Sequence, residues 1–189
     1  MFVYRAIMEM AQFGDTEIES KEMKANWLRL SGPDKDKLEE EFGRLAKIVD
    51  DKKAFSVASN DENKIKNQSD AIIPFDRNRV ILTPDGLRPH STYINASFIE
   101  GYHNDESFII TQDPLPSTAE DFWRMVIEHN ICTMVMLSGD KGWNYWEEEK
   151  DESNFGSIKV TRTSTEKLPS YVKREFEAYN SKVCNISSL

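Results

Sequence analysis

From Arg79 onward the chain is divided into short runs of β-branched and aromatic residues, each bounded by Asp, Asn, Gly or Pro. These are RVIL (79–82), TYINASFIEGY (92–102), ESFIITQ (106–112), CTMVML (132–137), SIKV (157–160) and YVKREFEAY (171–179). Runs of this length and composition are expected to be strands. One helix interrupts them. Ser117 with Glu120 three positions on has the capping-box pattern, and Phe122, Met125, Val126 and His129 follow at helical spacing. Such a stripe is expected to be core, and so are Phe122, Trp123 and Met125.

The N-terminal part follows the other period. Phe2, Ala6 and Met10, with Val3 and Ile7 one row over, are spaced for a helix that Gly14 would stop, and a helix beginning at residue 1 suggests a cut. A second helix is expected over Ser20–Leu30, followed by Gly32-Pro33. In a third, Leu38, Phe42, Leu45 and Ile48 form one stripe expected to be buried on a charged helix. Residues 50–70 are polar and aperiodic and read as a long surface connection. Helices, then strands, a helix and more strands give an α+β class.

Charge and cysteine usage restrict function. A net charge of −9 and a pI near 4.9 repel phosphate backbones and anionic headgroups, so nucleic-acid partners are not expected. No apolar run is long enough to span a bilayer. Two cysteines make no disulfide framework and fit a reducing compartment, in which the sequons at Asn67, Asn95 and Asn185 go unused. Cys132, in an apolar run, reads as a core filler and Cys184 as a tail thiol. Neither has the nearby Arg that a phosphate-attacking thiolate requires.

His90, His103 and His129 lack zinc-site spacing, and the acidic run Glu147–Glu152 lacks the central Gly of a calcium loop. There is no Gly-rich phosphate loop and no nucleophile elbow. We expect no metal and no cofactor.

Four stretches, KNQSDAIIPFDRNRVIL, TYINASFIEGY, FIITQDPLPSTAEDFWRMV and TMVMLS, together resemble the protein-tyrosine phosphatase family in order and spacing, and Asn144-Tyr145-Trp146 continues the likeness. FVYRAIMEMAQFGDTEI resembles the last helix of one phosphatase domain and the start of a connector. The resemblance implies a receptor-type tandem phosphatase. Residues 1–32 would be the tail of a first domain plus connector, and 33–189 the N-terminal portion of a second, membrane-distal domain. The fold implied is a truncated phosphatase fold, a twisted mixed sheet with flanking helices.

Family chemistry uses a His-Cys-x5-Arg cradle, a Trp-Pro-Asp loop carrying the general acid, and a Gln that positions water. None occurs in these residues. The resemblance therefore implies no catalytic residue here and no route to a phosphocysteine intermediate. The family's recognition loop, K-N-R-Y followed two residues later by Asp or Asn, aligns with Lys66, Asn67, Gln68, Ser69 and Ala71. Ser69 cannot stack on a phosphotyrosine ring, and the Ala71 side chain cannot accept a hydrogen bond.

Thr92 stands where active members have Asp, Asp113 replaces the Gly of TQGPL, and Glu147 replaces the Pro after Tyr-Trp. The stretch from Ser138 to Trp146 is also shortened, with Lys141-Gly142 in place of Lys-Cys. Asp76, Arg79, Tyr93, Asn95, Gln112, Pro114, Asp121, Phe122 and Trp123 match the family's structural motif. Asp76 and Arg79 are expected to anchor the back of the recognition loop, and Tyr93–Ala96 to form a core strand.

The function implied is that of a regulatory or binding module in receptor-phosphatase signalling on the cytoplasmic side of a membrane. Its expected partners are proteins, such as a phosphatase first domain or phosphotyrosine signalling proteins. The alternative is an incomplete copy of an active phosphatase. The run YVKREFEAY is expected to need a neighbour from sequence outside the chain, and the isolated chain to fold with poor cooperativity.

Overall fold

The computed structural model describes residues 18–32, 39–40, 42–43, 54–86, 88–101, 103, 107–138, 145–146, 151–181 and 186–188. The expected helix at residues 2–11, residues Leu38, Leu45 and Ile48, the Lys141-Gly142 and Glu147 positions, and Cys184 lie outside them. The chain forms two compact units, Met1–Lys52 and Lys53–Leu189.

In the first unit a 3-10 turn, Ser20–Glu22, leads into α1, Met23–Leu30. The helix ends where Ser31 donates both its backbone N–H and its hydroxyl to the Trp27 carbonyl, at 2.8 and 2.7 Å. A side chain that competes for a helix carbonyl weakens the next turn. Glu39, Glu40, Phe42 and Gly43 are helical, but Phe42 is 73% exposed and does not belong to a buried stripe.

The second unit contains two antiparallel sheets. In the first, β1 (Arg79–Ile81), β2 (Tyr93–Glu100) and β3 (Ser107–Thr111) lie in chain order, with Ala96 opposite Thr111 and Glu100 opposite Ser107. The second runs β4 (Glu152–Phe155), β5 (Ile158–Lys167), β6 (Val172–Asn180) and β7 (Ile186–Ser188). Gly156, at φ +58°, makes the turn from β4 to β5. In that left-handed region a side chain is strained, and here a Cβ would also strike the Glu120 carboxylate. The polar connection is not pure surface: it holds the short helix α2 (Asp61–Lys64) and buries Ala58 and Asn63.

Helix α3, Ala119–Glu128, joins the sheets into one core. Residues 121–127 are all buried. Phe122, Trp123, Met125, Val126 and Ile127 share that core with Val80, Leu82, Ile94 and Ala96 of the first sheet and Ile158, Val160, Phe176 and Ala178 of the second. The expected capping box is not made: Thr118 is the N-cap and provides no side-chain cap. Glu120 instead accepts from Ser157 N–H and Oγ, each at 3.1 Å, and pairs with Arg88 at 2.9 Å. Partners supplied by the tertiary structure have outcompeted the local backbone N–H.

Two further expectations fail for one reason, which is that strands need partners. Residues 132–137 carry the composition of a strand but form no strand pairing among the described residues; Val135 and Leu137 are 78% and 91% exposed, and Cys132 is exposed instead of filling core. Conversely, β6 does not lack a neighbour. It pairs with β5 from Asn180–Ile158 to Val172–Lys167, and with β7 on its other edge. Both sheets are antiparallel, not the mixed sheet expected.

Candidate functional site

The loop Lys66–Ala71 follows α2 and crosses the buried end of β2, where Tyr93, Ile94, Asn95 and Ala96 are all buried. Lys66 is its deepest tie. Its ammonium donates to the carbonyls of His90 at 2.9 Å and Tyr93 at 3.2 Å, and to Asp121 at 3.0 Å. Asp121, 3% exposed at the start of α3, also takes Arg124 at 3.1 Å and lies 3.4 Å from Arg88. A carboxylate this buried needs such cations, because an unpaired charge out of water is costly.

Asn67 uses both ends of its amide. Its Nδ2 donates to the Ala58 carbonyl at 3.2 Å, while Oδ1 accepts from the Tyr93 hydroxyl at 2.6 Å and from Asn95 Nδ2 at 3.1 Å. Asn95 Nδ2 also reaches the Ile72 carbonyl at 3.0 Å, fixing the far side of the loop. Burial pushes the Tyr93 phenol up to about 12, against the opposing influence of its bond to Asn67 and of the Arg79 charge. The phenol therefore stays neutral and keeps donating.

Gln112, just after β3, clamps the loop backbone. It accepts from Gln68 N–H at 2.9 Å and donates to the Lys66 carbonyl at 2.9 Å. The Gln68 side chain donates to the Asp113 carbonyl at 2.7 Å. Pro114 is buried beside a cavity of about 10 Å³ lined also by Lys66, Thr111, Gln112 and Phe122. Room on that scale holds at most one water and no aromatic ring.

Asp76 anchors the approach to the loop by accepting from Ser56 N–H at 2.9 Å, Ser56 Oγ at 2.5 Å and Val57 N–H at 3.0 Å. The Ser56 hydroxyl, more than any other partner, holds its carboxyl below the usual range; the Ser56 and Val57 amides and the Arg79 charge act the same way against desolvation. The Arg79 guanidinium faces the carbonyls of Thr92 and Val80, at 3.4 and 3.5 Å. Thr92 thus takes part through its backbone.

The scaffold presents little chemistry of its own. Gln68, Ser69, Asp70 and Ala71 are exposed, and the Ser69 hydroxyl accepts from the Ala71 N–H at 3.2 Å, a local turn. Trp123, by contrast, is structural, with Nε1 donating to the Tyr145 carbonyl at 2.9 Å inside the core. No group of three or more His, Cys, Asp or Glu side chains able to hold a metal exists among the described residues. The structure thus joins Lys66, Asn67, Gln68, Tyr93, Asn95, Gln112 and Asp121 in one network, while Asp76 and Arg79 brace the chain on either side.

Sequence reasoning missed Arg88 and Arg124 around Asp121, and read Glu120, the other partner of Arg88, only as half of a capping box. The only signal for Arg124 was its spacing of three residues from Asp121 on one helix.

Residues 63–187 match the protein-tyrosine phosphatase family. The chain is 46% identical over 192 residues to Tyrosine-protein phosphatase 69D of Drosophila melanogaster, covering 97% of this chain and 13% of that protein. It is 39% identical over 158 residues to the human receptor-type tyrosine-protein phosphatase epsilon, covering 78% and 23%. Against the human receptor-type tyrosine-protein phosphatase alpha it is 33% identical over 192 residues, covering 96% and 24%. The chain belongs to the protein-tyrosine phosphatase family, is related to its receptor-type members, and spans less than a quarter of the length of these relatives.

Proposed function

We propose that these residues act as a noncatalytic module of receptor-phosphatase signalling, regulating a phosphatase domain or binding protein partners on the cytoplasmic side of a membrane. One observation carries the reading. The recognition loop keeps its framework, through Lys66, Asn67, Tyr93, Asn95 and Gln112, but offers an exposed Ser69 and Ala71 where the family pattern has a ring and a carboxylate. A positioned loop without stacking surface or backbone acceptor supports contact with a partner better than capture of a phosphotyrosine. The resemblance of residues 1–32 to a domain end and connector supports placing 33–189 in a membrane-distal, second phosphatase domain.

Purified chain incubated with a phosphotyrosine peptide should release no phosphate above buffer, and calorimetry should detect no preference for that peptide over its unphosphorylated form. Turnover, or a preference of tenfold or more, would refute the reading. A second reading, in which activity resides in sequence outside these residues, is supported by the small share of each relative that the chain spans. Ser69 and Ala71 would still weaken phosphotyrosine binding in the longer protein.

A further inference from the structure

Asp113 stands in the turn after β3, where the family pattern has glycine, and its side chain plays no part in the loop network described above. Its Oδ1 accepts from Ser138 Oγ at 3.0 Å and from the Tyr145 hydroxyl. Its backbone carbonyl accepts from Gln68 Nε2, and the adjacent Gln112 holds the backbone of Lys66 and Gln68. One residue therefore touches two segments far apart in sequence: through its carboxylate, Ser138 and Tyr145; through its backbone, the recognition loop.

The Tyr145 end is packed into the core. This residue is 8% exposed, its carbonyl takes Trp123 Nε1, its ring centroid lies 4.9 Å from that of Phe122, and it stacks on Trp146. Burial first, and then the bond to Asp113 and its negative charge, hold the phenol above its ordinary range, so it remains a neutral donor to the carboxylate. A hydrogen bond to a charged acceptor is among the stronger ones. Glycine at 113 would supply no such acceptor, so the tie is particular to a chain with aspartate there.

We propose that Asp113 is a clasp that couples Ser138 and Tyr145 to the recognition loop, so that releasing the Tyr145 hydroxyl from Asp113 loosens Gln68–Ala71 without unfolding the core. The coupling is independent of whether the chain is catalytic. It gives a partner bound near Ser138 a mechanical route to the loop.

Hydrogen–deuterium exchange on the full 189-residue chain tests this with two variants. Tyr145→Phe keeps the packed ring and removes only the donor; Asp113→Gly removes the acceptor. Both are expected to raise exchange at the Gln68 and Ala71 amides about fivefold, while amides shared by β5 and β6 keep their wild-type rates. Acceleration confined to the neighbourhoods of 113 and 145 would overturn the clasp. Equal acceleration in β5 and β6 would also overturn it, because the effect would then be loss of global stability. An unchanged loop in Asp113→Gly overturns it whatever Tyr145→Phe does.

Discussion

Replacing Asp121 by alanine removes the anionic centre beneath the loop Lys66–Ala71. Its buried carboxylate meets Lys66 at 3.0 Å, Arg124 at 3.1 Å and Arg88 at 3.4 Å. None of these cations is left without an acceptor. Lys66 keeps the carbonyls of His90 and Tyr93, Arg124 keeps those of Ser91 and Thr83 together with Glu128, and Arg88 keeps Asp85 and Glu120. Breaking a buried ion pair from one side costs about 3–5 kcal/mol, and the surviving acceptors put this case at the lower end, about 3 kcal/mol.

For a unit of this size that loss corresponds to a fall in melting midpoint of about 10 °C. In urea the midpoint should drop by roughly 2 M with an unchanged slope. Asp121→Asn keeps the shape and one acceptor but loses the charge, and should fall about halfway; it remains measurable if the alanine variant does not fold. A shift below about 2 °C for Asp121→Ala would refute the reasoning. It would show that the neutral bonds of Asn67 and Gln112 suffice to hold the loop.

Alkaline pH should act through Tyr145, whose phenol is held above its ordinary range, and through Tyr93. The Tyr93 pKa is raised from 10.0 to about 12 in the fold, so the folded state retains a proton that the unfolded chain has lost. The Tyr93 contribution is full below pH 10 and disappears towards pH 12, about 3 kcal/mol in all, and Tyr93→Phe should make that part of a stability–pH curve shallower, leaving the share carried by Tyr145. Acid acts in the opposite sense at Asp76, whose folded pKa is lowered: its contribution is present above the ordinary carboxylate value of 3.8 and is lost as pH falls through the folded value. Asp76→Asn should flatten the acid limb of melting midpoints, and an unaltered limb would reject the Ser56–Asp76 anchor. Gly156→Ala should cost about 2 kcal/mol, from the left-handed backbone and displacement of Glu120 from Ser157 and Arg88, as read by urea denaturation. A neutral result would mean that the turn relaxes freely.

Much of this was legible in the sequence wherever the cause is local or the segment finds a partner. β-Branched runs marked β1, β2, β3 and β6, and the apolar stripe through Phe122, Met125 and Val126 marked α3 as the core helix. Lys66, Asn67, Tyr93, Asn95, Gln112 and Asp121 stood out only because they fit a family pattern; nothing in their spacing shows that six residues drawn from three separate stretches meet in one network.

What tertiary structure alone decided are the outcomes of competition between partners. Glu120 has the spacing to cap a helix, yet it binds Ser157 and Arg88. Residues 132–137 have strand composition but pair with no strand among the described residues, and Val135 and Leu137 are exposed, whereas β6 finds β5 and β7. Asp113 looked only like a departure from a glycine and proved to be an acceptor for Ser138 and Tyr145. Composition and periodicity report what each segment would bury; which donor reaches which acceptor depends on distances that only the packed chain sets.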